Sequence, residues 1–214
     1  MIEIKVFTFS PVQENTYILF NENGHALIID PGCYFTNEQE AILSFLKEKQ
    51  LKAFQLLNTH CHLDHVFGNK WVNTTLGLEL FIHPEEEVML GMAPISGEKW
   101  GLPFENYDGP LHYLHEGDIV KLDDDELKVI HIPGHSPGSI GFYNAKQHFI
   151  ISGDALFQRS VGRTDLPGAS TETLASSIHN KLFVLPDETI VYCGHGPSTT
   201  IGYEKENNPY VGRV

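Results

Sequence analysis

Residues 59–65 read Thr-His-Cys-His-Leu-Asp-His, which puts three imidazoles and a carboxylate into the turn after an apolar, strand-like run at Ala53–Leu57. In extended backbone His60, His62 and Asp64 project to one side, because side chains along a strand alternate. His65 begins the next turn and can fold back to a neighbouring point. Three further segments share this grammar: LKVIHIPGH at 127–135, HFIISGD at 148–154 and TIVYCGH at 189–195. Each is an apolar run closing on a glycine and then His135, Asp154 or His195. Glycine lets the backbone turn tightly beside a bulky group, and strand ends on a rigid scaffold aim side chains into a shared cleft. A lone His at a strand end is more often a hydrogen-bonded structural residue. Asp64 or Asp154 alone reads as a helix cap or a turn holder. The cluster reads differently, since solvated His at i and i+2 beside an Asp-His pair serve no packing purpose.

Counting donors gives five His (60, 62, 65, 135 and 195) and two Asp (64 and 154). Imidazole with carboxylate suits Zn, Fe or Mn rather than Ca or Mg. A catalytic zinc takes three protein ligands, so seven are too many for one ion. Two ions with three ligands each leave a seventh that can bridge, across the roughly 3.5–4 Å typical of two-metal sites.

Around these motifs the patterning predicts strands at Glu3–Phe9, Thr16–Phe20 and His25–Asp30. A helix follows from a capping box at Thr36–Gln39 to about Gln50, then a strand at Ala53–Leu57 and two further helix–strand steps to about His83. Gly91–Leu111, rich in Gly and Pro, reads as a loop over one face. Strands follow at Ile119–Leu122, Leu127–Ile132, Ser139–Tyr143 and His148–Ile151, then a helix from Ser170 to about Phe183, a strand at Thr189–Cys193 and a helix near Ile201–Asn207. Strand meanders mixed with αβ steps in both halves predict an α+β sandwich, two packed mixed sheets with helices on the outer faces. With no repeat or low-complexity linker, residues 1–214 read as a single domain.

Composition narrows the function. A net charge of -14 repels phosphate backbones and anionic bilayers, so nucleic-acid and membrane partners are not expected. No apolar run approaches the roughly 20 residues that span a bilayer. The N-terminal segment does not resemble a secretory signal, and three cysteines fit a reduced, cytoplasmic setting better than a disulfide framework. Cys33, Cys61 and Cys193 read as packing residues. His83 reads as structural, His112 and His115 as solvated, His131 as a satisfied strand residue, and Asp123–Glu126 as a solvated turn. The aromatics of Trp100–Tyr107 read as a cleft wall or an interface patch.

Thr-His-Cys-His-Leu-Asp-His (59–65), Pro-Gly-His-Ser-Pro-Gly-Ser (133–139), Ser-Gly-Asp-Ala-Leu-Phe (152–157) and Cys-Gly-His-Gly-Pro (193–197) resemble the metallo-β-lactamase-fold hydrolases. Gly162-Arg163-Thr164-Asp165 and the tail Thr199–Tyr210 are most similar to their short glyoxalase II (hydroxyacylglutathione hydrolase) branch. The resemblance covers essentially the whole chain and implies the metallo-β-lactamase fold. It implies that His60, His62 and His135 hold one metal, that Asp64, His65 and His195 hold the other, and that Asp154 bridges them. Zinc is the first expectation for both ions, with iron or manganese as alternatives. True β-lactamases lack the bridging Asp, which points away from antibiotic hydrolysis.

The reaction implied is hydrolysis of a small-molecule acyl thioester, S-lactoylglutathione or a related compound. A metal-bridging hydroxide is the nucleophile, and Asp64 and Asp154 are the residues placed at the chemistry. A thioester suits such a site because a thiolate leaves without a strong general acid. Arg163 is the candidate for gripping a substrate carboxylate, or it forms a structural ion pair with Asp165. Asp165 stands where longer glyoxalase II enzymes place a Tyr, and the chain stops at Val214 without their C-terminal helical domain. The thiol carrier is therefore open. Glutathione persulfide dioxygenases, with one iron, resemble the same His60, His135 and Asp154. Lactonases and phosphodiesterases of the fold are further alternatives, and oligomeric state is not legible.

Overall fold

The computed structural model describes residues 1–212. β1 (Glu3–Phe9), β2 (Glu14–Phe20) and β3 (His25–Ile29) form an antiparallel meander. All seven residues of β2 are buried, because it is covered on both faces. Helix α1 (Thr36–Glu48) then crosses over and returns the chain as β4 (Lys52–Leu57), parallel to β3. The short α2 (Leu63–Val66), α3 (Asn69–Leu76), β5 (Leu80–Ile82), α4 (Glu87–Trp100) and β6 (Leu111–Tyr113) complete a six-stranded sheet in the order β1 to β6. The second sheet starts as the antiparallel run β7 (Ile119–Leu122), β8 (Asp125–His131), β9 (Ile140–Asn144) and β10 (Phe149–Gly153). A small hairpin of β11 (Leu156–Phe157) and β12 (Ser160–Val161) follows, and α5 (Thr171–Ser177) crosses over. β13 (Ile190–Cys193) pairs parallel to β10, and β14 (Thr199–Thr200) closes the edge before α6 (Ile201–Asn207).

The two mixed sheets pack face to face. Tyr17, Leu19, Leu27, Ile29 and Leu57 of the first meet Val129, Ile140, Phe142 and Ile151 of the second in one buried core. Helices cover the outer faces: α1 through Ile42 and Leu46, α4 through Met89, Leu90 and Ala93, and α5 through Leu174. The αβ/βα sandwich expected from the sequence is therefore the fold, with helices outside two mixed sheets. No helix among the described residues is long and apolar enough to cross a membrane.

Four local expectations need correction. Most of the first half of Gly91–Leu111 is not loop but the end of α4, and its last residue begins β6. Gly91, Pro94 and Gly97 all argue against a helix locally. Pro94 cannot donate to the Leu90 carbonyl, and the Asn106 side chain takes that place at 2.8 Å. Gly97 is needed for close approach, since a side chain there would press on the Leu102 carbonyl and the Phe104 ring. Helix α1 begins one residue earlier than a Thr36 cap implies. Phe35 is at the N-cap, and the Glu38 carboxylate receives the backbone N–H groups of Ser10, Tyr34 and Phe35. Between β4 and His83 there is one further strand, not two, and α2 is a single turn. Finally, Asp123–Glu126 is only partly solvated. Asp123 accepts from Asn21 and Asn23, and buried Asp125 pairs with the N-terminal amine at 3.0 Å.

Candidate metal centre

β4, β8, β10 and β13 finish on one rim of the sandwich, and the four polar turns converge there. His62 Nδ1 and His135 Nε2 face each other at 2.7 Å, with His60 in the same group. Asp64, His65 and His195 form a second group, with His195 Nε2 3.0 Å and His65 Nε2 3.8 Å from Asp64 Oδ2. Asp154 lies between the two. Its Oδ1 is 3.5 Å from His65 Nε2, and its Oδ2 is 3.5 Å from His135 Nε2 and 3.6 Å from His195 Nε2. All seven side chains singled out from the sequence thus meet in one cluster.

The outward nitrogen of four of these imidazoles is held. His135 Nδ1 donates to the Arg163 carbonyl at 2.8 Å, and His195 Nδ1 donates to the Gln13 carbonyl at 3.1 Å. His65 Nδ1 lies 3.1 Å from Asp30 Oδ2, and His60 Nδ1 lies 3.1 Å from Thr59 Oγ1. Holding Nδ1 in this way points the Nε2 lone pair inward and fixes ring orientation. Inside the cluster, His60 Nε2, His65 Nε2 and Asp154 Oδ1 are buried without a hydrogen-bond partner. Buried polar atoms are nearly always paired, so this group of orphans fits a site shaped for divalent cations, with nitrogen and carboxylate donors of the kind Zn, Fe and Mn accept.

Electrostatics agree. Burial, together with neighbouring His65 and His135, holds the His60 imidazole well below its usual pKa, and burial beside His135 takes His62 down to about 3. Burial also opposes charge on His65, yet the carboxylates of Asp154 and Asp64 overcome it and raise its pKa well above the usual value. Two largely buried carboxylates therefore draw positive charge into the middle of the cluster.

Several supporting residues carry no motif of their own. Asp30, at the end of β3, accepts from Thr59 N at 2.7 Å, Thr59 Oγ1 at 2.6 Å and Asn58 Nδ2 at 3.1 Å, besides facing His65. Buried Glu86 accepts from Cys61 N and Gly138 N, each at 2.7 Å, and from the Ser136 hydroxyl. It ties the His60–His62 turn to the His135 turn. Asn15 of β2 pins the fourth turn, donating from its amide to the Cys193 and Gly196 carbonyls. An acidic residue closing a strand before Pro-Gly was a usable signal for Asp30. Glu86 lies in a 3₁₀ turn 50 residues from Ser136 and gave none.

Two glycines are sterically required. Gly153 sits at φ +52°, and a side chain there would strike Thr59. A side chain at Gly194 would overlap Asp154 Oδ1 and approach His65 Cε1 to 2.8 Å. The three cysteines are buried and free. His83 and His131 stack at 4.2 Å away from the cluster; His115 is exposed as expected, but His112 is half-buried, stacked on Phe81 and paired with Glu79 at 2.6 Å.

Arg163 stands at the edge of the cleft with its guanidinium forked onto Asp165, at 2.7 and 2.8 Å. The cleft has a volume of about 480 Å³. Beside the cluster it is walled by α4, including Met89, Met92 and Trp100, so the aromatic Trp100 is indeed part of a cleft wall. Phe104 instead packs on Phe67, and Tyr107 is buried.

Residues 10–195 match the profile of the Metallo-beta-lactamase superfamily. The chain is 37% identical to the hydroxyacylglutathione hydrolase GloC of Haemophilus influenzae, over 98% of each chain. Among solved structures, the BLEG-1 B3 metallo-beta-lactamase is 38% identical, with a TM-score of 0.89 over 98% of this chain and 99% of that one. TTHA1623, solved in a di-iron-bound form, is 37% identical, with a TM-score of 0.87 over 96% and 99%.

Proposed function

We propose a function from one established premise, that the chain belongs to the metallo-beta-lactamase superfamily of metallo-hydrolases. The reading is a binuclear hydrolase of acyl thioesters, of the glyoxalase II type. The observation that carries it is Asp154, one carboxylate within 3.6 Å of imidazoles from both donor groups. His60, His62 and His135 would hold one ion, Asp64, His65 and His195 the other, and Asp154 would touch both. Bound there, the ions supply Lewis acidity and acidify water.

The chain's own residues do the rest. Asp30, Thr59 and the Gln13 and Arg163 carbonyls hold protons on or beside the outward imidazole nitrogens, keeping the inward ones free. The apolar wall beside the cluster excludes bulk water, which strengthens every charge interaction inside. In the reaction a C–O bond forms from water and the C–S bond breaks, giving a carboxylate and a thiol. Relatedness to GloC of Haemophilus influenzae supports the substrate class. The test is thiol release from acyl thioesters, S-lactoylglutathione among them. Release that vanishes on chelation and returns with zinc, iron or manganese is the expected result. Dioxygen uptake from glutathione persulfide without thioester cleavage would overturn it.

A second reading, β-lactam hydrolysis, is favoured by the 38% identity to BLEG-1. It makes a different demand, since an amide nitrogen leaves only with a proton. The same preparation assayed on a penicillin and a cephalosporin separates the two.

A further inference from the structure

The cleft is unlike a receptor for a charged peptide thiol. Apart from the clustered His and Asp and the buried Cys61 thiol, its lining among the described residues has one ionisable side chain, Arg163. That guanidinium is already bound through two nitrogens by Asp165. A substrate carboxylate would have to share this guanidinium with Asp165, whose negative charge already offsets it and would repel a second carboxylate. Glutathione, with two carboxylates and one ammonium, has little to hold it here.

The same wall is well made for hydrocarbon. Met89 is buried at its inner end, while Met92 and Trp100 are progressively more exposed, at 37% and 57%. Leu63 and Phe157 flank the cluster. Methionine side chains adapt to irregular apolar partners. The two arms of a thioester make different demands. The leaving arm develops thiolate charge, which burial against Met and Trp would penalise, so it belongs at the open mouth. The acyl arm carries no charge and belongs on the α4 wall.

Resting on the thioesterase reading above, we infer that this enzyme selects thioesters with an apolar acyl chain and an uncharged thiol over S-lactoylglutathione. The step is the hydrolysis already given, with water supplying the carboxylate oxygen and the thiol leaving with the proton. The probes are S-acetyl-, S-butanoyl- and S-hexanoyl-N-acetylcysteamine beside S-lactoylglutathione, on the metal-loaded full chain. Expected is a kcat/KM that rises about fourfold per added methylene, the transfer preference of a buried CH₂, with S-lactoylglutathione below the hexanoyl compound. Met92→Asp should flatten the series, read as the hexanoyl-to-acetyl ratio so that a general loss of activity does not count. Asp165→Asn should free Arg163 and raise S-lactoylglutathione relative to the neutral thioesters. A flat wild-type series, or S-lactoylglutathione preferred, overturns this inference and leaves the thioesterase reading intact. No turnover of any thioester overturns both.

Discussion

Replacing Asp30 by Ala tests whether residues outside the seven donors hold the metal centre in shape. Asp30 is fully buried and accepts three hydrogen bonds from Asn58 and Thr59 while facing His65 Nδ1 at 3.1 Å. In the variant Thr59 Oγ1 still accepts from His60 Nδ1, and Asn58 keeps its bond to the His65 carbonyl. The Thr59 N–H and O–H lose their acceptor, and the His65 ring keeps only buried Glu14 Oε1, 3.8 Å away. A stranded buried group costs about 1–3 kcal/mol, so the loss of stability is about 2–5 kcal/mol. For a chain of this size that lowers Tm by roughly 5–15 °C. Separately, freeing the His65 ring should weaken metal binding by about 10–100-fold. Thermal unfolding with and without chelator reads the first quantity, and competitive zinc titration reads the second. Asp30→Asn, which keeps the shape and one acceptor, should recover part of both. A lower Tm with unchanged zinc affinity would refute the claim that Asp30 orients His65. An unchanged Tm would refute the hydrogen-bond accounting as well.

Other outcomes follow from the same geometry. Asp154→Ala should abolish thioester turnover and reduce bound metal, because it removes the carboxylate between the two groups; normal turnover would defeat the bridging assignment. Gly194→Ala should push Asp154 aside and lower metal content in a protein that still folds, measured by metal analysis beside circular dichroism; full occupancy would contradict the steric account. Glu86→Ala strands the Cys61 and Gly138 amides and should cost about 2–5 kcal/mol, with a matching fall in urea midpoint as the check. Asn106→Ala leaves the Leu90 carbonyl unpaired opposite Pro94 and should destabilise α4 by about 1–2 kcal/mol. A Tm equal to wild type would show that water replaces it.

Much of this architecture can be read from the chain because the informative residues sit where local rules apply. Strands such as β8 alternate buried and exposed positions, and the four donor turns each follow an apolar run. The seven donors could therefore be gathered before any fold was known. Helix α4 was hidden because Gly91, Pro94 and Gly97 break every local rule for a helix. Its stability comes from packing on β5 and from a long-range bond by Asn106. The supporting carboxylates were hidden for a related reason. Glu86 acts on residues 25 and 50 positions away, a relation that no spacing pattern encodes. Arg163 was open between substrate and Asp165, and only the fork at 2.7 and 2.8 Å shows where its charge goes in the free protein.

Anomalous diffraction from crystals of the zinc-reconstituted protein addresses the metal centre directly. The expected map has two peaks per chain, one at His60, His62 and His135 and one at Asp64, His65 and His195, with Asp154 density reaching both. A single peak, or two peaks with Asp154 turned away from either, would contradict the binuclear account.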